Sequence, residues 1–115
     1  MSYQWGIYLA GLDPVRGSEQ AGQRPILVIS REMINQVLPV VNVVPLTSLK
    51  SLERKIYANE VLLPAGTGGI SVDSIALCYQ IRTLDKSRLI ARLGQVTERK
   101  IQAQVLAALR FQLDM

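Results

Sequence analysis

The sequence predicts a mainly β domain of the α+β type: a small, strongly bent β-barrel with short helices and one C-terminal α-helix. Three observations predict it. Short β-prone runs alternate with turn residues as far as Val96. Only the stretch after Val96 carries a long helical repeat. The chain has 115 residues, 49% of them apolar, enough for one core, so residues 1–115 are expected to form a single domain. A domain this small buries a modest share of its surface, and pairing with a second copy would strengthen it.

Ile7-Tyr8-Leu9-Ala10 is the first expected strand and Pro25 to Ile29 the second. Ser30 is placed to cap a short helix over Arg31-Glu32-Met33-Ile34. Val40-Val41-Asn42-Val43-Val44 is a β-branched third strand that Pro45 ends or turns into an edge. Leu46 to Ser51 reads as a polar turn, and Tyr57 to Leu63 as a strand. Ala65-Gly66-Thr67-Gly68-Gly69 reads as a mobile loop. Ser74 to Ile81 is a further strand, and Asp85 can cap one helical turn through Arg88. Ile90 to Val96 holds the last short strand. Thr97 can then cap a helix with Glu98 in its first turn, and Ile101, Val105, Leu109 and Leu113, widened by Leu106, form its apolar stripe. That stripe packs on the sheet or offers a groove-binding face to a partner.

Composition narrows the chemistry. The net charge is +4, which favours an acidic partner such as nucleic acid or leaves a solvated basic surface. One cysteine rules out an internal disulfide framework, and Cys78 in Ile75-Ala76-Leu77-Cys78 is expected to be a core thiol. With one Cys and no His, neither a conventional zinc site nor a histidine acid or base is expected. No signal peptide and no membrane span is legible, so the chain reads as cytoplasmic.

The loop from Asp13 to Pro25 is the main candidate site. It is long for a connection in a compact domain, and such loops are functional or disordered. Arg24 closes it at the edge of a strand, where a guanidinium fork can grip a phosphate; a plain surface arginine is the other reading. Thr47 follows the third strand, with a hydroxyl able to donate to a phosphate oxygen or to bond its own turn. Ser18, Glu19 and Gln20 add a hydroxyl, a carboxylate and an amide, and Glu19 would serve as acid or base support if its pKa were raised. Strand alternation would put Gln80 and Arg82 on one face opposite Ile81. Arg16, Arg24 and Arg82 can track phosphates, while Arg82, Lys86, Arg88 and Arg92 also read as a solvated basic face. Tyr3, Trp5 and Tyr8 can stack on bases or pack internally.

Three segments carry a resemblance. They are Leu12-Asp13-Pro14 through Gly17-Ser18-Glu19-Gln20-Ala21-Gly22 to Arg24-Pro25, then Val44-Pro45-Leu46-Thr47-Ser48, then Asp73-Ser74 through Gln80-Ile81-Arg82-Thr83-Leu84-Asp85 to Leu89. Together they resemble the MazF/PemK (also Kid-like) toxins of bacterial toxin–antitoxin systems. The resemblance implies an SH3-like barrel and a homodimer. It implies a sequence-specific endoribonuclease that cuts mRNA; attack by RNA's own 2′-hydroxyl needs no metal or cofactor, and single-stranded RNA is the sensible substrate because its unstacked bases can be read on their edges. A cognate antitoxin with an acidic, flexible tail would neutralise it by lying over the RNA site. The family's catalytic arginine and threonine fall on Arg24 and Thr47, and Ser18, Glu19, Gln20, Gln80 and Arg82 match positions that shape the RNA cleft.

The chain also departs from the family. Gln4-Trp5-Gly6-Ile7 replaces an Arg-Gly-acidic stretch, and Gly11-Leu12-Asp13-Pro14 replaces Asp-Leu-Asp/Ser-Pro. Tyr79 stands where members often carry Asp or Glu, a position assigned the role of base in one branch. A phenol with a pKa of about 10 is a poor base at neutral pH. Two alternatives stay open on sequence: a gyrase-poison-like toxin that acts by binding, and a decayed toxin that binds antitoxin or RNA without cutting.

Overall fold

The structure is a computed structural model and describes residues 2–115. Seven strands, β1 (Gly6–Gly11), β2 (Gln23–Val28), β3 (Val40–Ser48), β4 (Glu60–Leu63), β5 (Ser74–Leu77), β6 (Arg82–Asp85) and β7 (Leu89–Gln95), are joined by loops, 3₁₀ turns and one short helix, α1 (Glu32–Val37), between β2 and β3. The helix α2 (Arg99–Leu113) follows them. The strands run β4-β5-β3-β2-β1-β7, with β6 also on β3, and every pairing is antiparallel. The class is the expected one. The ladder path stays open, however, instead of closing on itself as a barrel: β6 and β7 are joined by the 3₁₀ turn Lys86–Arg88 and not by a ladder. Asp85 caps that turn as expected, its Oδ1 accepting from the Ser87 N–H at 2.9 Å. Among the described residues no helix is long and apolar enough to cross a membrane.

Strand β3 organises the molecule. Pro45 does not end it. The strand continues through Leu46, Thr47 and Ser48, so the expected polar turn begins later. On one edge β3 pairs with β2, Val28↔Val43 to Ile26↔Pro45. On the other it pairs first with β6, Val40↔Asp85 to Val43↔Arg82, and then with β5, Leu46↔Ala76 to Ser48↔Ser74. Between these two partners the opposing chain leaves the ladder as the 3₁₀ turn Cys78–Gln80. Proline has no N–H to give a ladder, so it sits where pairing is interrupted. The expected strand Ser74 to Ile81 is cut short for this reason, and Tyr79 and Gln80 are lifted out of the sheet.

Two apolar clusters fill the interior. Ile7, Leu27, Val44, Leu46 and Leu63 pack with Val105, Ala108 and Leu109 of α2, while Ala10, Ile26, Val28, Val41 and Leu84 form the second. Strand alternation divides each strand's residues between the two sets. Cys78 lies fully buried in the first, and desolvation pushes its thiol up to about 12, so it remains a neutral core group. The helix stripe is shifted from the expected one: Ala108 joins Val105 and Leu109 in the core, and Leu106 and Leu113 are exposed. Neither expected cap forms in the expected way. Thr97 lies outside the α2 cap, which falls on Glu98. Ser30 Oγ accepts from the Asn42 N–H at 3.0 Å and donates to Asn35, stitching α1 to β3 instead of capping it.

The glycine-rich stretch is not a mobile loop. It forms the 3₁₀ turn Thr67–Gly69, with Gly68 against Ile7 and Val96 and Gly69 against the β7 backbone. The N-terminal aromatics are also used internally. Tyr3 and Tyr8 stack at 6.1 Å between ring centroids, with Lys86 Nζ 4.8 Å from the Tyr3 centroid and the Arg92 guanidinium 5.4 Å from that of Tyr8. Trp5 packs on the first cluster.

Candidate active site

The loop from Leu12 to Gly22 is ordered by its own polar groups. Leu12 N–H donates to the Gly22 carbonyl at 2.9 Å, closing its base. Gly22 N–H donates to Asp13 Oδ1 at 3.1 Å, and Arg16 N–H donates to Glu19 Oε1 at 2.6 Å. Gly17 and Gly22 take positive φ, 55° and 72°, where a side chain would be strained.

A second layer of contacts mounts the loop on the fold. Gln80 uses both ends of its amide: Oε1 accepts from the Gln20 N–H at 2.9 Å, and Nε2 donates to the Ser18 carbonyl at 3.2 Å. Arg82 donates to the Leu12 carbonyl at 3.3 Å. Arg88 donates to the carbonyls of Gly11, at 3.3 Å, and Asp13. Gln80 and Arg82 were expected on one strand face. They come instead from the 3₁₀ turn and the start of β6, and they hold the loop's main chain. Arg88, which sequence reasoning left in a basic stretch that also read as a solvated face, is a third side chain holding the loop. The signal was thin, because a cation beside a 3₁₀ turn looks like any surface charge until the loop carbonyls are in place.

Between loop and turn lies a cavity of about 580 Å³. Ser18, Glu19 and Gln20 form one wall, Tyr79, Gln80 and Arg82 the other, and Pro45 lies between them. Tyr79 is 42% exposed and lines the cavity, so an aromatic residue stands where an acid would offer charge. A smaller cleft of about 120 Å³ holds Arg24 and Thr47 together, with Ser48 beside them. Arg24 stands on β2 opposite Ala10, and Thr47 on β3 opposite Ile75, so both rest on paired strands. Arg24 Nε donates to the Ala21 carbonyl at 3.1 Å, which fixes the side chain and leaves its terminal nitrogens without a hydrogen bond among the described residues. Consecutive residues of β3 line the two, Pro45 the cavity and Leu46 and Thr47 the cleft. Arg16 is exposed near the loop tip and lines neither.

The arrangement can bind an extended anionic chain. The cleft offers a guanidinium fork and a hydroxyl to one phosphate, and the cavity offers an aromatic face and amides to a neighbouring planar group.

Comparison with known proteins agrees with this geometry. Residues 3–113 match the family model of the PemK-like, MazF-like toxin of type II toxin–antitoxin systems. Endoribonuclease MazF9 of Mycobacterium tuberculosis is 39% identical over 114 residues, covering 95% of this chain and 93% of the relative. The crystal structure of MazF from Deinococcus radiodurans superposes with a TM-score of 0.79 at 32% identity, over 97% of this chain and 96% of that one. A MazE–MazF structure from the same organism gives 0.72 at 28% identity, over 97% and 94%. The chain therefore belongs to the PemK-like, MazF-like toxins of type II toxin–antitoxin systems.

Proposed function

We propose that the protein is a sequence-specific, metal-independent endoribonuclease that cuts single-stranded mRNA in the cytoplasm and is held inactive by a cognate antitoxin. The observation that carries this reading is the meeting of Arg24 and Thr47 in one cleft beside the loop cavity. Relatives named endoribonucleases and a structural neighbour described as a MazE–MazF structure support the activity and the partner. In this reading residues 1–115 act as one toxin domain, and a homodimer supplies two such sites.

RNA brings its own nucleophile, the 2′-hydroxyl. Held in line with the scissile phosphate, it attacks phosphorus while the bond to the 5′ oxygen breaks, and orientation alone supplies several kcal/mol. Arg24 stabilises the charge that builds on the phosphate oxygens, and Thr47 donates to the same oxygens. Arginine stays protonated below a pH of about 12, so the 5′ oxygen takes its proton from water or through Glu19. Ser18 and Gln20 face the flanking nucleotides, Arg16 tracks a phosphate farther out, and Gln80 and Arg82, expected to touch RNA themselves, contribute by holding the loop. An unstacked strand exposes the base edges that such a cavity can read.

The test is primer extension on a long single-stranded RNA with purified protein and excess EDTA. Discrete cuts at a short recurring sequence, ending in a 2′,3′-cyclic phosphate and a 5′-hydroxyl, are the expected result. A single deoxyribose 5′ to the cut should abolish cleavage there; cutting that survives it would sink the 2′-hydroxyl mechanism. Absence of cuts by folded protein on varied RNAs would favour a toxin that only binds.

Gln80→Met keeps the side chain's length and removes both of its bonds to the loop. Loss of that alignment should lower kcat by about 10-fold to 100-fold while KM changes little. Thermal unfolding run alongside separates this from loss of fold. An unchanged kcat would show that Gln80 does not set the loop's alignment.

A further inference from the structure

Asp73-Ser74 opens the third segment of the resemblance, yet neither residue has a part in the mechanism above. Both are spent on one short turn. Asp73 Oδ1 accepts from the Ala65 N–H at 2.8 Å, and the Asp73 carbonyl accepts from the Leu49 N–H at 2.9 Å. Ser74 is buried, and its hydroxyl donates to the Val72 carbonyl at 3.0 Å. At the other end the Ile70 carbonyl accepts from the Gly66 N–H at 2.8 Å. These bonds fix Ser71 and Val72, which are exposed between the 3₁₀ turn Thr67–Gly69 and β5. Surface connections are ordinarily the mobile parts of a fold, and this one is tied at both ends.

The tied turn is a wall of the Arg24–Thr47 cleft, which Ser71 and Val72 line together with Leu93 of β7. Ser74 spends its hydroxyl on the turn, whereas the Ser71 hydroxyl has no hydrogen bond among the described residues. Ser48 also lines the cleft, but strand alternation sets it and Thr47 on opposite faces of β3. Ser71 is thus the hydroxyl that the cleft gains from outside its strands.

Size and covalent geometry decide which part of RNA meets it. The cleft, about 120 Å³, is far smaller than the loop cavity and suits one link of the sugar–phosphate chain without its base. The attacking 2′-hydroxyl sits on the ribose carbon next to the one that bears the scissile phosphate. Once Arg24 and Thr47 hold that phosphate, the nucleophile lies in the same cleft. Arg24 can only donate, and Thr47 gives its proton to the phosphate, so neither is left to accept from the 2′-hydroxyl.

We infer that Ser71 accepts a hydrogen bond from the attacking 2′-hydroxyl and turns it toward phosphorus, and that Asp73 and Ser74 are positioning residues that hold Ser71 there. Val72 and Leu93, 51% and 39% exposed, give the sugar carbons an apolar surface to lie on. The reaction keeps its balance. The 2′ oxygen bonds to phosphorus, the 5′ oxygen leaves and is protonated as above, and the 2′ proton passes to water; Ser71 gains and loses nothing. The inference deepens the endoribonuclease reading and rests on it.

The test uses the full chain and a short RNA with a single cut site, with thermal unfolding of every variant alongside. Ser71→Ala removes no hydrogen bond from the folded protein and should unfold as the unsubstituted chain does. Its kcat should fall about 10-fold with KM little changed, since the lost bond orients the nucleophile. Asp73→Ala should fall similarly and add little to Ser71→Ala in the double variant, because the two act as one unit. Asp73→Asn should recover most of the rate, since its amide oxygen can still accept the Ala65 N–H.

A binding arm reads the hydrogen bond itself. In slow-cutting Arg24→Ala protein, the RNA should bind about 3-fold to 10-fold more tightly than the same strand with one deoxyribose 5′ to the cut. Adding Ser71→Ala should erase that ratio. An unchanged kcat in Ser71→Ala, a change confined to KM, or a deoxyribose ratio that survives the substitution would overturn the inference. So would erasure of the ratio by Ser48→Ala in its place. Each of those results leaves the nuclease reading standing, whereas an unsubstituted chain that cuts no RNA overturns both.

Discussion

Arg24→Ala should reduce RNA cleavage by at least about 100-fold, the loss expected when one fixed donor to a transition-state oxyanion is removed. The guanidinium is held through Nε by the Ala21 carbonyl, and its terminal nitrogens carry no hydrogen bond among the described residues, so they are free to take a phosphate in the cleft that Arg24 lines. Its neighbour Thr47 cannot replace it, because a neutral hydroxyl brings one donor and no charge. Single-turnover cleavage at saturating RNA, beside binding of an uncleavable deoxy-substituted strand, separates the two roles available to Arg24. Cleavage should collapse while binding falls far less. A parallel loss of both would make Arg24 a binding residue, and an unchanged rate would remove it from the mechanism. Arg24→Lys should recover only part of the activity, since a point charge cannot present two parallel donors.

The largest effect on stability is expected from Gly69→Ala. Gly69 has φ of +82°, and an added Cβ would stand 2.1 Å from the Leu93 carbonyl oxygen and 2.8 Å from its carbon. Both contacts are backbone in β7, so no side chain can swing aside. Across from it, a Cβ on Gly94 would meet the Gly68 carbonyl at 2.6 Å, so the turn and the strand press together through glycines on both sides. Positive φ and overpacking each cost about 1 to 3 kcal/mol, and together they should lower Tm by roughly 10 °C or more. Differential scanning calorimetry checks this, with Gly66→Ala as the comparison. Gly66 shares the positive φ, at +94°, but has open space where its Cβ would be. It should therefore lose only the conformational part. Equal losses at the two positions would show that close approach is not what Gly69 provides.

The same turn shows where sequence reading stops. Gly66 to Gly69 carries the composition of a flexible loop, and composition alone cannot report that β7 lies against it. Pro45 is a second case. Its missing N–H correctly marks an interruption, yet the interruption falls in the strand opposite, where Cys78–Gln80 leaves the ladder. Pairing partners are not visible in a local pattern. By contrast, the short strands, the Asp85 cap and the terminal helix depend on local periodicity and capping chemistry, and they were legible. Arg24 and Thr47 stand out through the resemblance and through their places beside strands, and the fold brings them to one cleft. The distinction that stayed hidden was between side chains that face the cavity and side chains that hold its wall. Gln80, Arg82 and Arg88 carry the same donors in either role, and only the carbonyls they reach decide between them.

Those five anchor points are all main-chain atoms: the carbonyls of Gly11, Leu12, Asp13 and Ser18 and the N–H of Gln20. Apart from proline's missing N–H, every amino acid supplies the same two groups. The mount therefore fixes where the loop sits without regard to its spelling, while Asp13, Glu19 and the two positive-φ glycines shape it from within. Ser18 and Gln20 meet that mount through main-chain atoms alone, so their side chains can be exchanged at little cost to it, whereas Glu19 also ties the Arg16 N–H and is less free to change. On this architecture a change in what the cavity prefers is a problem of a few side chains and not of a new fold.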